Sequence, residues 1–220
     1  MRSSLFEEAA ENDQPGMSLQ NRKMVRVRLD GGEFHARQGS MVAYQGRVDF
    51  AYKGSGMKRF LKKAFTGEGL SLMTVTGAGD VFLARDAWDV HLVDLEGDSI
   101  TVNAENVLAF ESGLDWDISR VEGAGMVAGG LFNTVFTGHG RIAVACLGSP
   151  VLIGVDQPTY ADTQSVVAWS TSLRTGVRRT AKAGALIGRG SGEAFQISFE
   201  GQGFVLVQAS EGPPQPPAQG

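Results

Sequence analysis

Three apolar runs, Val81-Phe82-Leu83-Ala84, Ile142-Ala143-Val144-Ala145 and Phe204-Val205-Leu206-Val207, each follow the same kind of four-residue phrase. The phrases are Thr76-Gly77-Ala78-Gly79, Thr137-Gly138-His139-Gly140 and Glu200-Gly201-Gln202-Gly203, and their first glycines recur at nearly equal spacing along the chain. Such spacing is that of an internal repeat. Ahead of the first phrase, Val25, Val27 and Leu29 alternate with Arg26 and Arg28, the period of a half-buried strand. Asp30-Gly31-Gly32 then reads as a hairpin turn.

The stretch around that turn can be laid over two later ones. Leu29-Asp30-Gly31 matches Leu95-Glu96-Gly97, and Val42-Ala43-Tyr44 matches Leu108-Ala109-Phe110, both at the same offset. Val167-Ala168-Trp169 is a third copy, at a slightly shorter offset from the second. In each, an apolar residue follows the aromatic by four positions: Val48, Leu114 and Leu173. A small alanine beside a large ring at three matching points predicts three equivalent strands around a common axis, with Ala43, Ala109 and Ala168 buried. Gly77, Gly79, Gly138, Gly140, Gly201 and Gly203 are expected as structural glycines, at bulges or positive φ where strands bend.

Each unit therefore runs strand, turn, Ala-aromatic strand, variable insert, Gly-x-Gly and final strand. The predicted fold is all-β: three internal repeats of a short antiparallel unit, about 25–90, 91–150 and 151–210, forming a pseudo-threefold barrel or sandwich with short helical inserts. Leu147-Gly148-Ser149-Pro150-Val151 reads as the hairpin turn joining units two and three. Residues 1–23 form an N-terminal segment, with a short helical turn over Leu5 to Asn12, and 24–210 a single domain. Residues 211–220, with four of the seven prolines, are expected to be a disordered tail.

The acidic turn, the Val107-Leu108-Ala109-Phe110-Glu111 and Val166-Val167-Ala168-Trp169-Ser170 segments, and the Phe136-to-Gly140 and Phe199-to-Gly203 bends together resemble the altered inheritance of mitochondria family. That family, also catalogued as a domain of unknown function, occurs in bacteria and mitochondria. The resemblance runs from about Met24 to Ala209. It implies a fold like that of the tryptophan RNA-binding attenuation protein, with three such units in one chain. Mitochondrial relatives are linked to inner-membrane organisation. The family brings no catalytic residues to carry over, and the acidic, apolar-poor start of this chain fits a bacterial cytoplasmic member rather than one with a presequence.

Composition narrows the chemistry. Across 220 residues the formal charge is −4, against a global attraction to nucleic acid. Cys146 is the single cysteine and lies in an apolar run, which reads as a buried inert thiol. His35, His91 and His139 fall at non-equivalent points, and the pairs among Asp86, Asp89, Asp94, Asp98, Asp115 and Asp117 lack calcium-loop spacing, so no metal site is expected. Gly123-Ala124-Gly125-Met126-Val127-Ala128 fits a dinucleotide fingerprint only formally, because Gly129-Gly130 stands where the phosphate-binding helix would run. No catalytic residue and no cofactor is expected.

Charge clusters in the inserts. Met57 to Phe65 places Met57, Phe60, Leu61, Ala64 and Phe65 on one helical face and Lys58, Arg59, Lys62 and Lys63 on the other. The third unit's insert carries Arg178, Arg179 and Lys182. Equivalent places in a threefold repeat project from one end. The expectation is a non-enzymatic β-rich assembly or adaptor protein, cytoplasmic or peripheral at a membrane, whose basic end docks on an anionic surface, phospholipid or a protein partner. The alternatives are a single-stranded nucleic-acid-binding module and, last, an enzyme. Oligomeric state is left open.

Overall fold

The computed structural model describes residues 15–52, 70–121, 132–179 and 195–210. These form fourteen strands: β1 (Gly16–Asn21), β2 (Met24–Arg37), β3 (Met41–Ala51), β4 (Leu72–Leu83), β5 (Asp89–Asn103), β6 (Val107–Glu111), β7 (Asp115–Arg120), β8 (Phe132–Cys146), β9 (Val151–Val155), β10 (Thr159–Asp162), β11 (Val166–Ser170), β12 (Arg174–Arg179), β13 (Phe195–Glu200) and β14 (Gly203–Val207). All the pairings are antiparallel. The larger sheet runs β3-β4-β2-β6-β8-β5-β11-β14-β9, with β1 on β2 and β7 on β8, and the smaller runs β10-β13-β12. The chain is thus all-β, but the described strands do not close into a barrel: β3 and β9 end the larger sheet without meeting. No α-helix occurs among the described residues, whose single helical element is a 3-10 turn at Ala104–Asn106. The inserts expected to hold short helices, at 53–69 and 180–194, lie outside them, as do the Leu5-to-Asn12 turn and the 211–220 tail.

Three glycine-containing turns expected from the sequence are something else. Asp30-Gly31-Gly32 is a bulge inside β2, which keeps β4 as its partner from Val25↔Leu83 through Arg37↔Leu72 and shifts register between Asp30 and Gly32, opposite Gly77. Glu96-Gly97-Asp98 bulges in the same way opposite Gly138. One extra residue is absorbed at Gly31, where φ is +75°, so the strand bends without reversing. Leu147 to Pro150 joins β8 to β9, which pairs with β14 and not with β8, so it is a crossover and not a hairpin. The sheet also starts earlier than residue 24, because β1 pairs Gly16↔Arg28 to Asn21↔Met24 and buries Met17.

The period of two along β8 lets one strand serve two cores. Ala143 and Ala145 face a cluster with Met17, Val25, Val27, Phe34 and Val75, while Ile142, Val144 and Cys146 face another with Ile100, Val102, Phe110 and Phe136. A third cluster gathers Val155, Val166, Trp169, Leu173, Ile197 and Phe199. Ala36, Ala109 and Ala143 lie side by side across β2, β6 and β8, all fully buried. Val102, Ala168 and Leu206 make the corresponding row across β5, β11 and β14. Small side chains let the β8 face approach the first core closely, as close packing requires. Ala109 and Ala168 are buried as expected, but Ala43 is exposed: it lies on β3, the end of the sheet, with no further strand beyond it among the described residues.

Candidate functional site

The inserts interrupt three antiparallel strand pairs. β3 and β4 last pair at Ala51↔Thr74, β7 and β8 at Arg120↔Phe132, and β12 and β13 at Arg179↔Phe195. Between them run 53–69, 122–131 and 180–194. The strand ends at these mouths share cores. Leu70 and Leu72, just after the first insert, belong to the cluster that holds Phe132, just after the second. Val121, just before the second insert, belongs to the cluster that holds Ile197 and packs against Val177, beside the third.

Of the candidate anion-binding residues, Lys58, Arg59, Lys62, Lys63 and Lys182 lie outside the described residues. Arg178 lies on β12 opposite Gln196, its guanidinium 5.1 Å from the Tyr160 ring centre and its Nη1 donating to the Tyr160 hydroxyl at 2.9 Å. It is exposed. Arg179 is the last residue of that strand. Arg174, at the other end of β12, stands 3.6 Å from Glu200. One cation of the set therefore sits at a hairpin mouth with its side chain described, held over an aromatic ring and open to solvent.

The structural glycines are positioned by strand crossings. Gly77, Gly79, Gly138, Gly140 and Gly201 have positive φ, as expected; Gly203 does not, and the bend there is carried by Gly201. At Gly203 it is space that matters, since a Cβ would stand 2.6 Å from the Ser170 hydroxyl, which accepts the Phe204 N–H at 3.0 Å.

Buried charge is concentrated elsewhere. Asp80 on β4 accepts from Arg26 at 3.0 Å, from Arg28 at 3.0 Å and from Gln45 at 3.1 Å, tying β2 and β3 to the strand between them. The Arg28 hydrogen bond holds the Asp80 carboxyl well below the usual carboxylate range, with help from Arg26 and Gln45 that outweighs its burial. A carboxylate so held cannot serve as a proton donor near neutral pH. Arg37 donates to the Val107 and Ala104 carbonyls around the 3-10 turn; burial pushes its pKa down to about 10, which leaves it charged at neutral pH. Burial lowers the His35 imidazole, whose ring lies tilted against Phe110 at 5.1 Å between centres, and pushes the Cys146 thiol up to about 12. Among the described residues no group of three His, Cys, Asp or Glu side chains is placed to hold a metal ion.

A feature the sequence reading missed is the exposure of apolar side chains at the two ends of the larger sheet. Val42 and Tyr44 on β3 are 56% and 50% exposed, and Val151 and Leu152 on β9 57% and 63%. Val42-Ala43-Tyr44 matches the buried segments of β6 and β11 in sequence, so only topology distinguishes it from them.

The model of the family described as mitochondrial biogenesis AIM24 matches residues 17–210, from β1 to the end of the described chain. The chain belongs to the AIM24 family. An uncharacterised protein of Streptococcus pyogenes serotype M6 is 28% identical over 129 residues, which cover 57% of this chain and 50% of that protein, so the match spans half of that relative's length. The crystal structure of another Streptococcus pyogenes protein superposes with a TM-score of 0.71 at 23% identity, covering 90% of this chain and 93% of that one. The AIM24 fold is thus shared along nearly the full length of both. Among the described residues of this AIM24 chain, no helix is long and apolar enough to cross a membrane.

Proposed function

We propose that the chain is a non-enzymatic adaptor built from three copies of one β unit, arranged as in the tryptophan RNA-binding attenuation protein, whose basic inserts dock on anionic phospholipid. The observation that carries this reading is the matching interruption of the three hairpins, with their flanks Leu70, Leu72 and Phe132 in one core cluster and Val121, Val177 and Ile197 in the next. The flanks of the first and second inserts thus share one core, and those of the second and third the next. On this reading Lys58, Arg59, Lys62 and Lys63 of the first insert act together with Arg178, Arg179 and Lys182 of the third on one anionic surface. An amphipathic cationic segment binds anionic lipid through apolar insertion together with about 1 kcal/mol per Lys or Arg near the surface. The family's description as mitochondrial biogenesis is compatible with work at membranes.

Co-sedimentation with vesicles tests the reading. Vesicles with about a third phosphatidylserine should pellet the protein at low salt and release it as salt screens the charges; phosphatidylcholine vesicles should not pellet it. Replacing Lys58, Arg59, Lys62 and Lys63 together by glutamate should abolish the effect. No pelleting on anionic vesicles at low salt would remove the proposal.

A further inference from the structure

Inside the chain, successive units meet strand to strand, and they do so twice in the same way. β2 pairs with β6 as Phe34↔Glu111, His35↔Phe110 and Ala36↔Ala109. β5 pairs with β11 as Ile100↔Ser170, Thr101↔Trp169 and Val102↔Ala168. The shifts that align the Ala-aromatic strands, Ala43 onto Ala109 and Ala109 onto Ala168, carry each of these pairs onto the other. They also name the two half-interfaces left over. One is Ala43-Tyr44-Gln45 on β3, the counterpart of Ala109-Phe110-Glu111. The other is Thr159-Tyr160-Ala161 on β10, the counterpart of Phe34-His35-Ala36; among the described residues its strand pairs with β13 alone, as β3 pairs with β4 alone.

We infer that two copies of this chain join head to tail, β3 of one adding antiparallel to β10 of the next with Ala43 opposite Ala161, Tyr44 opposite Tyr160 and Gln45 opposite Thr159. Burial supplies the second argument. The equivalents of Val42 are Leu108 and Val167, both at 0% exposure, and those of Tyr44 are Phe110 and Trp169, at 0% and 3%. The side chains are of the buried kind at all three places, and only the place at the end of the sheet leaves them in water. Of the large apolar side chains exposed among the described residues, all but Leu19 lie on or beside β3, β9 and β10. A free edge with apolar flanks is the arrangement that proteins ordinarily blunt with charge or proline, and β-strand addition is the recognition mode that uses it. The occupant is a second copy because the complementary half-interface is carried at the opposite end of the same chain. Since the two halves differ, the contact is heterologous, and repeating it gives a ring or an open filament according to whether the rotation closes.

This inference rests on the sheet ends and not on the basic inserts, so it is tested on the full chain without lipid. Sedimentation velocity should show species at multiples of the 23.3 kDa chain whose weight-average size rises with concentration, or a single closed ring. Val42→Lys with Tyr44→Lys spoils one half-interface, and Leu152→Lys with Tyr160→Lys the other; each variant alone should run as a monomer with unchanged circular dichroism. Mixed, they should form a one-to-one dimer and nothing larger, because each retains one intact half. The register is read by mixing Ala43→Cys with Ala161→Cys. Directly opposed strand residues have Cα atoms about 4.5–5.5 Å apart, so a disulfide-linked pair should form, and Ala43→Cys with Asp162→Cys, one residue out of register, should not. A wild-type chain that stays monomeric at high concentration overturns the inference. So does an intrachain bond in the double Ala43→Cys, Ala161→Cys chain, which would mean that the sheet closes on itself, and so does a mixture that fails to dimerise.

Discussion

Arg26 Nη2 lies 2.9 Å from Asp80 Oδ1, with both side chains only 7% exposed, so β2 and β4 are pinned together by an ion pair that water barely reaches. Removing one partner strands the other. Asp80→Ala should cost about 3–5 kcal/mol, read as a lower midpoint in urea. Arg28→Ala should cost much less, since its side chain is a third exposed.

The same pair sets an acid dependence. The Asp80 carboxyl is held low by Arg28, Arg26 and Gln45, so its stabilising effect is present above the unfolded-state value of about 3.9 and is lost as pH falls toward the folded one. The stability difference between wild type and Asp80→Asn should therefore be largest near pH 7 and shrink steadily below about pH 4. Urea titrations of both proteins at pH 7, 4 and 3 check this; a difference that stays constant would show that the carboxylate charge is not what matters.

Gly77 and Gly138 should respond differently to the same substitution. Both have positive φ, +120° and +115°, which in a non-glycine residue stores roughly 1–3 kcal/mol. At Gly77 an added Cβ would also collide with the Arg47 carbonyl oxygen on β3, while at Gly138 it would meet nothing within 4 Å. Gly77→Ala should lower the thermal midpoint more than Gly138→Ala does. Equal shifts would leave the crowding at β3 without effect.

Phe110 and Tyr44, which hold matching places in the sequence pattern, should differ in the same assay. Phe110 packs its ring 4.9 Å from Phe136 and 5.5 Å from Trp116, so Phe110→Ala should cost about 3–5 kcal/mol. Tyr44→Ala, measured at a concentration where the chain is a monomer, should cost less than about 1 kcal/mol.

Cys146 should not react with thiol reagents at pH 8 in the native state. Its thiol is buried and pushed up to about 12, so almost no thiolate is present. Titration with an aromatic disulfide reagent should give no rapid signal until denaturant is added.

Much of this architecture was legible in the residues. The period-two runs, the Gly-x-Gly phrases and the Ala-aromatic motif predicted an all-β chain, and the buried alanine rows at Ala109 and Ala168 follow from them. What failed was the reading of glycines as reversals. Asp30-Gly31-Gly32 and Glu96-Gly97 have turn composition, yet a strand with a continuous partner on β4 or β8 absorbs such residues as a bulge, and composition alone does not distinguish the two. β1 was missed because Met17-Ser18-Leu19 is a short alternation, and only its place along β2 makes it a strand. The candidate site was less legible. Burial of Val42 and Tyr44 depends on whether another strand follows in space, which is a property of the ends of a sheet and not of a local pattern.

The order of pairing also bears on synthesis. The pairs among β2, β3 and β4 are complete once Leu83 has emerged, but the partner of Phe34-His35-Ala36 is β6, which begins only at Val107. Until then the β2–β4 group has two open edges, β3 and the second half of β2, where the finished sheet leaves it one. Neighbouring chains on a single messenger are then close enough to exchange strands, and slow translation between Ala84 and Glu111 would prolong that interval.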